Sequence, residues 1–112
     1  MILIISAQLP QLDGAVDERF GRSPWFIKYD TDTKQWEAFP NPGSSQSGGA
    51  GVAAAQFVID QHVNVVISGD FGPHAAGAFQ AAEINMRLFT YDVSKVSHAV
   101  ELFLQDKLPA FK

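Results

Sequence analysis

A run of four consecutive aliphatic residues at positions 2–5 constrains the fold of this chain more than any other feature of its sequence. A strand with one face in water alternates apolar and polar residues, whereas an unbroken apolar run is typical of a strand buried on both faces. The run therefore predicts a central, parallel strand over Ile2–Ala7. A second run of the same kind, Val65-Val66-Ile67, predicts another such strand over Asn64–Ser68.

Further patterns complete the set of predicted elements. The polar turn at 31–34 joins two strand patterns, so we expect an antiparallel hairpin there. Pro73 suits the first position of the second helix, because proline has no N–H to lose. The predicted strands are Ile2–Ala7, Trp25–Asp30, Gln35–Phe39, Asn64–Ser68 and Arg87–Tyr91, and the predicted helices are about Ala50–His62, about Pro73–Glu83 and a last helix capped by Asp92 or Ser94 and ended by Pro109.

Apolar residues at three- and four-residue steps predict which helix faces are buried. The predicted faces carry Val52, Ala55, Ile59 and His62 in the first helix, and Val96, Val100, Phe103 and Leu104 in the last helix. His62 closes the first helix, where we expect its imidazole to interact with the negative end of the helix.

The order β-β-β-α-β-α-β-α predicts the α/β class, with a mixed five-stranded sheet in a single domain over residues 1–112. We expect the antiparallel hairpin at one edge, a parallel centre from the first, fourth and fifth strands, and helices packed on the sheet. Ligands of such sheets bind outside the carboxyl ends of the strands. Three glycine-containing loops, 8–23, 40–51 and 69–74, should therefore gather at that edge and form the functional site.

Composition excludes several classes of function. Twelve acidic residues against eight basic ones give a formal net charge of −4, which argues against binding to nucleic acid or to an anionic membrane. The chain has no cysteine, so disulfides, thiolate zinc sites, cysteine-ligated iron–sulfur clusters and cysteine nucleophiles are excluded. The sequence shows no targeting signal and no apolar stretch of ~20 residues, so we expect a cytoplasmic protein.

Motifs for catalysis are absent from the sequence. It contains neither a G-x-S-x-G nucleophile elbow nor a P-loop. The first strand carries no carboxylate, so a two-metal nuclease site would lack ligands on the central strand. We therefore expect a protein that is not an enzyme.

The segment Gly49-Ala50-Gly51-Val52-Ala53-Ala54 fits the G-x-G-x-x-A form of the dinucleotide fingerprint. Asp70 follows at about the distance of the ribose-binding acid, ~20 residues, although the fingerprint needs its first glycine directly after a strand. Glycines before a helix N-terminus also let backbone N–H groups approach an anion of another kind. A flexible loop without a ligand is the third interpretation.

Charged side chains in the first long loop are candidates for binding an anion. Arg19 and Arg22 could clamp an anion there, or they could form surface ion pairs with a nearby acid. The acids in question are Asp13, Asp17 and Glu18.

His74 is the histidine with the most promising position. It follows Gly72-Pro73 at a predicted helix start, beside the expected ligand edge. It is the best candidate for a metal or cluster ligand or for proton transfer, and a solvent-facing side chain is the alternative. His98 has no evident partner, and the three histidines do not form a metal-ligand spacing.

The segment Asp17-Glu18-Arg19-Phe20-Gly21-Arg22-Ser23-Pro24-Trp25-Phe26 resembles the D-x-x-F-G-R-A-x-x-F segment of the dinitrogenase iron–molybdenum cofactor biosynthesis family. Gly49-Ala50-Gly51, the run 65–69 and Gly72-Pro73 are also similar to that family, and the likeness extends from Ile2 to about Leu104. The resemblance implies a ribonuclease H-like, three-layer α/β/α fold without nuclease activity. It also implies a small accessory protein that binds, carries or stores a metal–sulfur cluster or its precursor.

One position departs from the pattern of that family. Many similar members have His directly before the Phe-Gly pair, where it is a candidate cluster ligand, and this chain has Arg19. A guanidinium cannot ligate a metal, but it can pair with an anionic sulfide cluster through charge-assisted hydrogen bonds. His74 is then the candidate for a ligand from the protein.

The main hypothesis is a non-enzymatic carrier of an anionic metal–sulfur cofactor, of the iron–molybdenum type or another molybdenum sulfide, which works with a cofactor-assembly or acceptor protein. The alternatives are a cofactor-free regulatory or protein-interaction module on the same fold, and a small nucleotide-binding protein. The predicted cofactor-binding residues are Arg19, Phe20, Gly21, Arg22, Gly49, Gly51, Gly72 and His74, with His74 as the predicted metal ligand.

Overall fold

The computed structural model describes residues 1–111, which form a sheet of five strands and three helices. The strands are β1 (Ile2–Ala7), β2 (Trp25–Asp30), β3 (Trp36–Pro40), β4 (Val65–Ser68) and β5 (Asn85–Leu88), and the helices are α1 (Ala50–Asp60), α2 (Gly72–Ala81) and α3 (Val96–Leu104). The predicted order of elements is confirmed. No helix within this part of the chain is long and apolar enough to cross a bilayer.

The strands lie in the order β3-β2-β1-β4-β5. β2 pairs antiparallel with both β1 and β3, whereas β1 with β4 and β4 with β5 pair parallel. This is the predicted mixed sheet, with the hairpin at one edge and β1, β4 and β5 as its parallel part. β1 and β4 have neighbours on both sides and helices cover both faces of the sheet, so their apolar runs are buried, as those runs predict.

Buried side chains form a core on each face of the sheet. Leu3 and Ile5 of β1 pack on the face that α3 covers, through Val96 and Val100. Ile4 packs on the opposite face, against residues of α1 and α2. The α/β/α layering that the resemblance implies is therefore present, since successive side chains of a strand point to opposite faces. The closer likeness to ribonuclease H stays a prediction.

The buried face of α1 differs from the predicted one. The buried residues are Ala50, Ala54, Ala55 and Val58, whereas Val52, which we expected to be buried, is 56% exposed. Ala50, Ala54 and Val58 are spaced four residues apart and share one side of the helix. Small alanines let α1 pack closely on the sheet, so three alanines and Val58 form its inner face.

The ends of α1 and α2 also differ slightly from prediction. α1 ends at Asp60, and His62 follows in a left-handed conformation with φ 55°. The exposed His62 thus terminates the helix through its backbone, and the expected interaction of its imidazole with the helix end stays a prediction. α2 begins at Gly72, so Pro73 occupies the second rather than the first helical position.

β5 and α3 are shorter than the sequence predicted. β5 spans Asn85–Leu88 rather than 87–91, because each of its four residues pairs with one residue of the four-residue β4. The N-cap of α3 is Lys95, without a side-chain cap, so neither predicted cap residue acts there. α3 ends before Pro109, because Asp106 takes a left-handed conformation with φ 57°. Leu104, at its end, is exposed rather than part of the apolar stripe.

Candidate functional site

One groove at the carboxyl edge of the sheet is lined by all eight residues that the sequence predicted as binding residues. It has a volume of about 360 Å³, and we call it the glycine groove. The predicted residues in its lining are Arg19, Phe20, Gly21, Arg22, Gly49, Gly51, Gly72 and His74, and the others are Ala50, Asp70, Phe71, Pro73 and Ala75. The strand order therefore brings the three glycine-containing loops together, as we expected.

Two helices, α1 and α2, begin in the glycine groove, and neither receives a side-chain cap hydrogen bond or has an acidic residue in its first turn. At α2, the carboxylate of Asp70 accepts only a long contact of 3.4 Å from the N–H of Gly72. The first N–H groups of a helix have no acceptor within the helix and carry partial positive charge. The groove therefore presents donors that suit an anion.

Glycines keep this backbone accessible. Gly49 and Gly72 have φ values of 72° and 74°, in the left-handed region that favours glycine. A Cβ built at Gly49, Gly51 or Gly72 would meet no atom within 4 Å, so these positions face open space. A ligand in the groove can thus approach the main chain where side chains would otherwise stand.

Arg19 lies in the groove but is already paired with an acid. Its Nη2 lies 3.0 Å from Oδ2 of Asp17, its Nε 3.2 Å from Oδ1, and its backbone N donates to the same Oδ1 at 2.9 Å. Asp17 is 2% exposed and Arg19 is 63% exposed. This hydrogen bonding raises the pKa of Arg19 above its ordinary value. The sequence left two roles open for Arg19, an anion clamp and an ion pair with a nearby acid. The structure shows the ion pair.

Arg22 connects two of the loops that surround the groove. Its Nη1 donates to the backbone carbonyl of Gln46, in the segment that precedes α1. The side chain of Arg22 is exposed. It therefore holds the serine- and glycine-rich segment against the first loop and places a guanidinium at the rim.

His74 is exposed at the third position of α2 and faces the same groove. Within residues 1–111 no group of three or more His, Asp or Glu side chains could together hold a metal ion. A metal bound in the groove would therefore meet at most His74 and Asp70 as side-chain ligands and would have to bring further ligands with it.

Asn41 is a buried anchor of the groove that sequence reasoning missed. Its Nδ2 donates to the carbonyls of Ser23 at 2.8 Å and Gly21 at 3.2 Å, and its Oδ1 accepts from the N–H of Gly43 at 2.8 Å. The side chain thus ties the loop of Arg19 to the turn after β3. The Asn-Pro-Gly sequence after a strand was a usable signal, because Asn side chains bond to the backbone two residues on.

Two serines under the groove were also missed. Ser6 and Ser68 are fully buried at neighbouring positions near the ends of β1 and β4, and their Oγ atoms are 2.7 Å apart. Oγ of Ser6 also bonds to the carbonyl of Asp17, and the N–H of Phe20 donates to the carbonyl of Asp70 at 3.1 Å. These bonds fix the distance between the first loop and the loop after β4.

The glycine motif lacks the context of a dinucleotide site. β3 ends at Pro40, and the loop 41–49 separates it from α1. The dinucleotide fingerprint needs a strand that runs directly into its first glycine, because that turn places the pyrophosphate on the helix N-terminus. The structure therefore gives the nucleotide interpretation no support.

Fold and site together define a class, namely small α/β proteins with a glycine-lined, cysteine-free groove at the carboxyl edge of a mixed sheet. Comparison of the sequence with known protein families identifies one family within that class. Residues 1–106 match the family described as "Dinitrogenase iron-molybdenum cofactor", and the chain belongs to that family. The resemblance seen in the sequence is thus confirmed, and the protein is a small member of a cofactor-associated family.

Solved structures share the fold over nearly the whole chain. The apo form of the orange protein from Desulfovibrio gigas has a TM-score of 0.91 and 35% identity, over 98% of this chain and 92% of that chain. A Thermotoga protein with a provisional NifB assignment has a TM-score of 0.83 and 24% identity, over 97% and 91%. In the comparison of sequences, an uncharacterised protein of Methanocaldococcus jannaschii is 22% identical, over 99% of this chain and 95% of its own length.

Proposed function

We propose that this protein binds an anionic metal–sulfur cofactor, or a precursor of it, in the glycine groove and carries it without catalysing a reaction. The observation that carries the proposal is the meeting of two helix N-termini without side-chain caps in one groove. Membership of the dinitrogenase iron–molybdenum cofactor family supports the choice of cargo. Helix N-termini bind anions through their N–H groups and their partial positive charge.

The absence of cysteine restricts how such a cargo can be held. Without thiolates, the protein cannot supply the sulfur ligands of a cluster, so the cargo must bring its own sulfide. Backbone N–H groups at Gly49, Gly51 and Gly72 would then donate to that sulfide, and His74 would add one imidazole. Such a set of contacts is weak compared with ligation by several thiolates, which suits a protein that passes its cargo on.

Local charge matters because the protein as a whole repels an anion. The formal net charge is −4, so attraction depends on groups in the groove itself. The two helix ends supply most of it, because the carboxylate of Asp70 in the lining offsets the charge of Arg22 at the rim. A cofactor-assembly or acceptor protein would meet the cargo at this open edge of the sheet.

A matched pair of glycine substitutions tests the proposal. Gly51→Asp places a carboxylate in the first turn of α1, where a Cβ meets no atom within 4 Å. The acid should stabilise the helix by about 0.3–1 kcal/mol, yet its charge should prevent binding of an anion. Gly77→Asp makes the same change in α2, outside the groove, where a Cβ is also unobstructed.

The measurement is an anaerobic incubation with tetrathiomolybdate, removal of the free anion by gel filtration, and detection of its charge-transfer absorbance in the protein fraction. We expect binding to the wild type and to Gly77→Asp and no binding to a folded Gly51→Asp. If the wild type shows no such absorbance, or Gly51→Asp binds equally well, the proposal is wrong.

A cofactor-free interaction module is the second candidate, and one observation favours it. Arg19 stands at the position where the resemblance implies a His ligand, and its guanidinium is engaged by Asp17. Anaerobic purification from the native host separates the two functions. A carrier should retain molybdenum or iron, whereas an interaction module should retain a stable protein partner and no metal.

A further inference from the structure

The charges of the glycine groove are balanced. Apart from His74, its ionisable lining consists of Arg19, Arg22 and Asp70, and the carboxylate of Asp17 lies directly against Arg19. Two guanidinium groups are thus matched by two carboxylates. An anion that enters meets little net positive charge from side chains.

The ion pair also neutralises Arg19 and occupies one of the two faces through which its guanidinium can bind an oxyanion bidentately, the Nε and Nη2 face. A guanidinium grips carboxylate, phosphate and related oxyanions through two parallel N–H groups. In this protein Nε and Nη2 of Arg19 both donate to Asp17, at 3.2 Å and 3.0 Å. An incoming oxyanion could use that face only by displacing a carboxylate that is 2% exposed and also accepts the backbone N–H of Arg19.

The groove wall favours ligands that lose water easily. Phe20, Phe71, Ala50 and Ala75 are buried apolar residues that also line it. Placing a strongly hydrated anion against apolar groups costs free energy unless charged hydrogen bonds replace its water. Sulfide ligands spread the same charge over larger, polarizable atoms, so removing their water costs less free energy.

We propose that Asp17 is a specificity-determining residue, which by neutralising Arg19 makes the groove select sulfide-ligated anions over oxyanions of the same charge and shape. This inference rests on the proposed function and names the class of cargo that the groove accepts. Asp17 acts as a positioning residue. It keeps Nε and Nη2 of Arg19 directed at its own carboxylate, and it is itself buried.

Tetrathiomolybdate and molybdate provide the test, because both are tetrahedral dianions of the same metal. Each is titrated into the wild type by calorimetry under anaerobic conditions. We expect the wild type to bind tetrathiomolybdate at least about tenfold more tightly than molybdate. Equal affinities would overturn the inference and leave an anion-binding groove in place. If neither anion binds, the proposed function itself fails.

Two variants show which acid sets the preference. Asp17→Asn removes the charge that neutralises Arg19 and the acceptor of its Nη2, and it should raise the affinity for molybdate more than that for tetrathiomolybdate. Asp70→Asn removes an equal charge from the groove lining without freeing a guanidinium, and should raise both affinities by a similar factor. An unchanged ratio in a folded Asp17→Asn would overturn the role of Asp17. The wild-type comparison tests the selectivity whether or not that variant folds.

Discussion

A Cβ on Gly69 would lie 2.6 Å from the Cβ of Glu18 and 2.8 Å from its Cα. These distances are shorter than real Cβ contacts, and they arise because the first loop passes directly over the turn after β4. Gly69 therefore lets the loop that carries Arg19 pack against the end of a central strand. This close approach sets one wall of the glycine groove.

Substitution of Gly69 should therefore be costly. We expect Gly69→Ala to lower the free energy of unfolding by about 1–3 kcal/mol, the usual cost of an extra methyl group in a filled space. Gly77→Ala is the matched control, since a Cβ there is unobstructed within a helix, and it should stabilise the protein by about 0.5–1 kcal/mol. Urea denaturation measures both values. A neutral Gly69→Ala would show that the loop is not packed as described.

Asn41 should be important for the shape of the groove as well as for stability. Asn41→Ala removes the donor to the carbonyls of Gly21 and Ser23 and leaves them buried, at a cost of about 1–3 kcal/mol. Asn85→Ala, at an exposed asparagine, is the control for thermal denaturation. We also expect weaker binding of tetrathiomolybdate to Asn41→Ala below its melting temperature. A melting temperature equal to that of the control would contradict the anchoring role.

His74 should affect the affinity for cargo and not the fold, because it is exposed on α2. Loss of its interaction with a charged ligand should weaken binding of tetrathiomolybdate about tenfold or more. His98→Ala, in α3 on the other face of the sheet, should bind as the wild type does. Retained affinity in His74→Ala would exclude the imidazole as a ligand.

The acid sensitivity of the hairpin should depend on Asp30. The N–H of Asp32 donates to Oδ1 of Asp30 at 2.9 Å, and this bond, with help from Thr33, lowers the pKa of the Asp30 carboxyl. A carboxyl whose pKa is lower in the folded state stabilises the fold above its unfolded value of about 3.9, and this contribution disappears as the pH falls through the folded pKa.

Melting curves of Asp30→Asn and of the wild type check this dependence. The wild type should melt at a higher temperature at about pH 6, and the difference should shrink towards about pH 2. A difference that stays constant over this range would show that the ionised carboxylate is not what stabilises the turn.

The sheet was predictable because its central strands are buried on both faces. Continuous apolar runs at 2–5 and 65–67 admit few other interpretations, and they fix where the carboxyl edge lies. The position of the groove followed from that edge. The inner face of α1 was not predictable, since its alanines occur on several sides of the helix and only packing selects among them.

The polar supports of the groove could not be predicted from hydrophobic patterns. Ser6 and Ser68 interrupt apolar runs, and nothing in the sequence shows that they bond to each other. Several acids lie close to Arg19 along the chain, and only the fold shows that Asp17 turns inward to meet it. Such pairings depend on loop geometry, which sequence spacing alone does not define.

The most direct test of the central claim is a map of where a sulfide-ligated anion binds. Amide NMR spectra of uniformly ¹⁵N-labelled protein are recorded anaerobically during titration with tetrathiomolybdate. The account predicts that the largest shifts occur at Arg19–Arg22, Gly49–Gly51 and Gly72–His74, with smaller changes in α3. Shifts that are absent, or that centre on α3 or on the hairpin of β2 and β3, would contradict it.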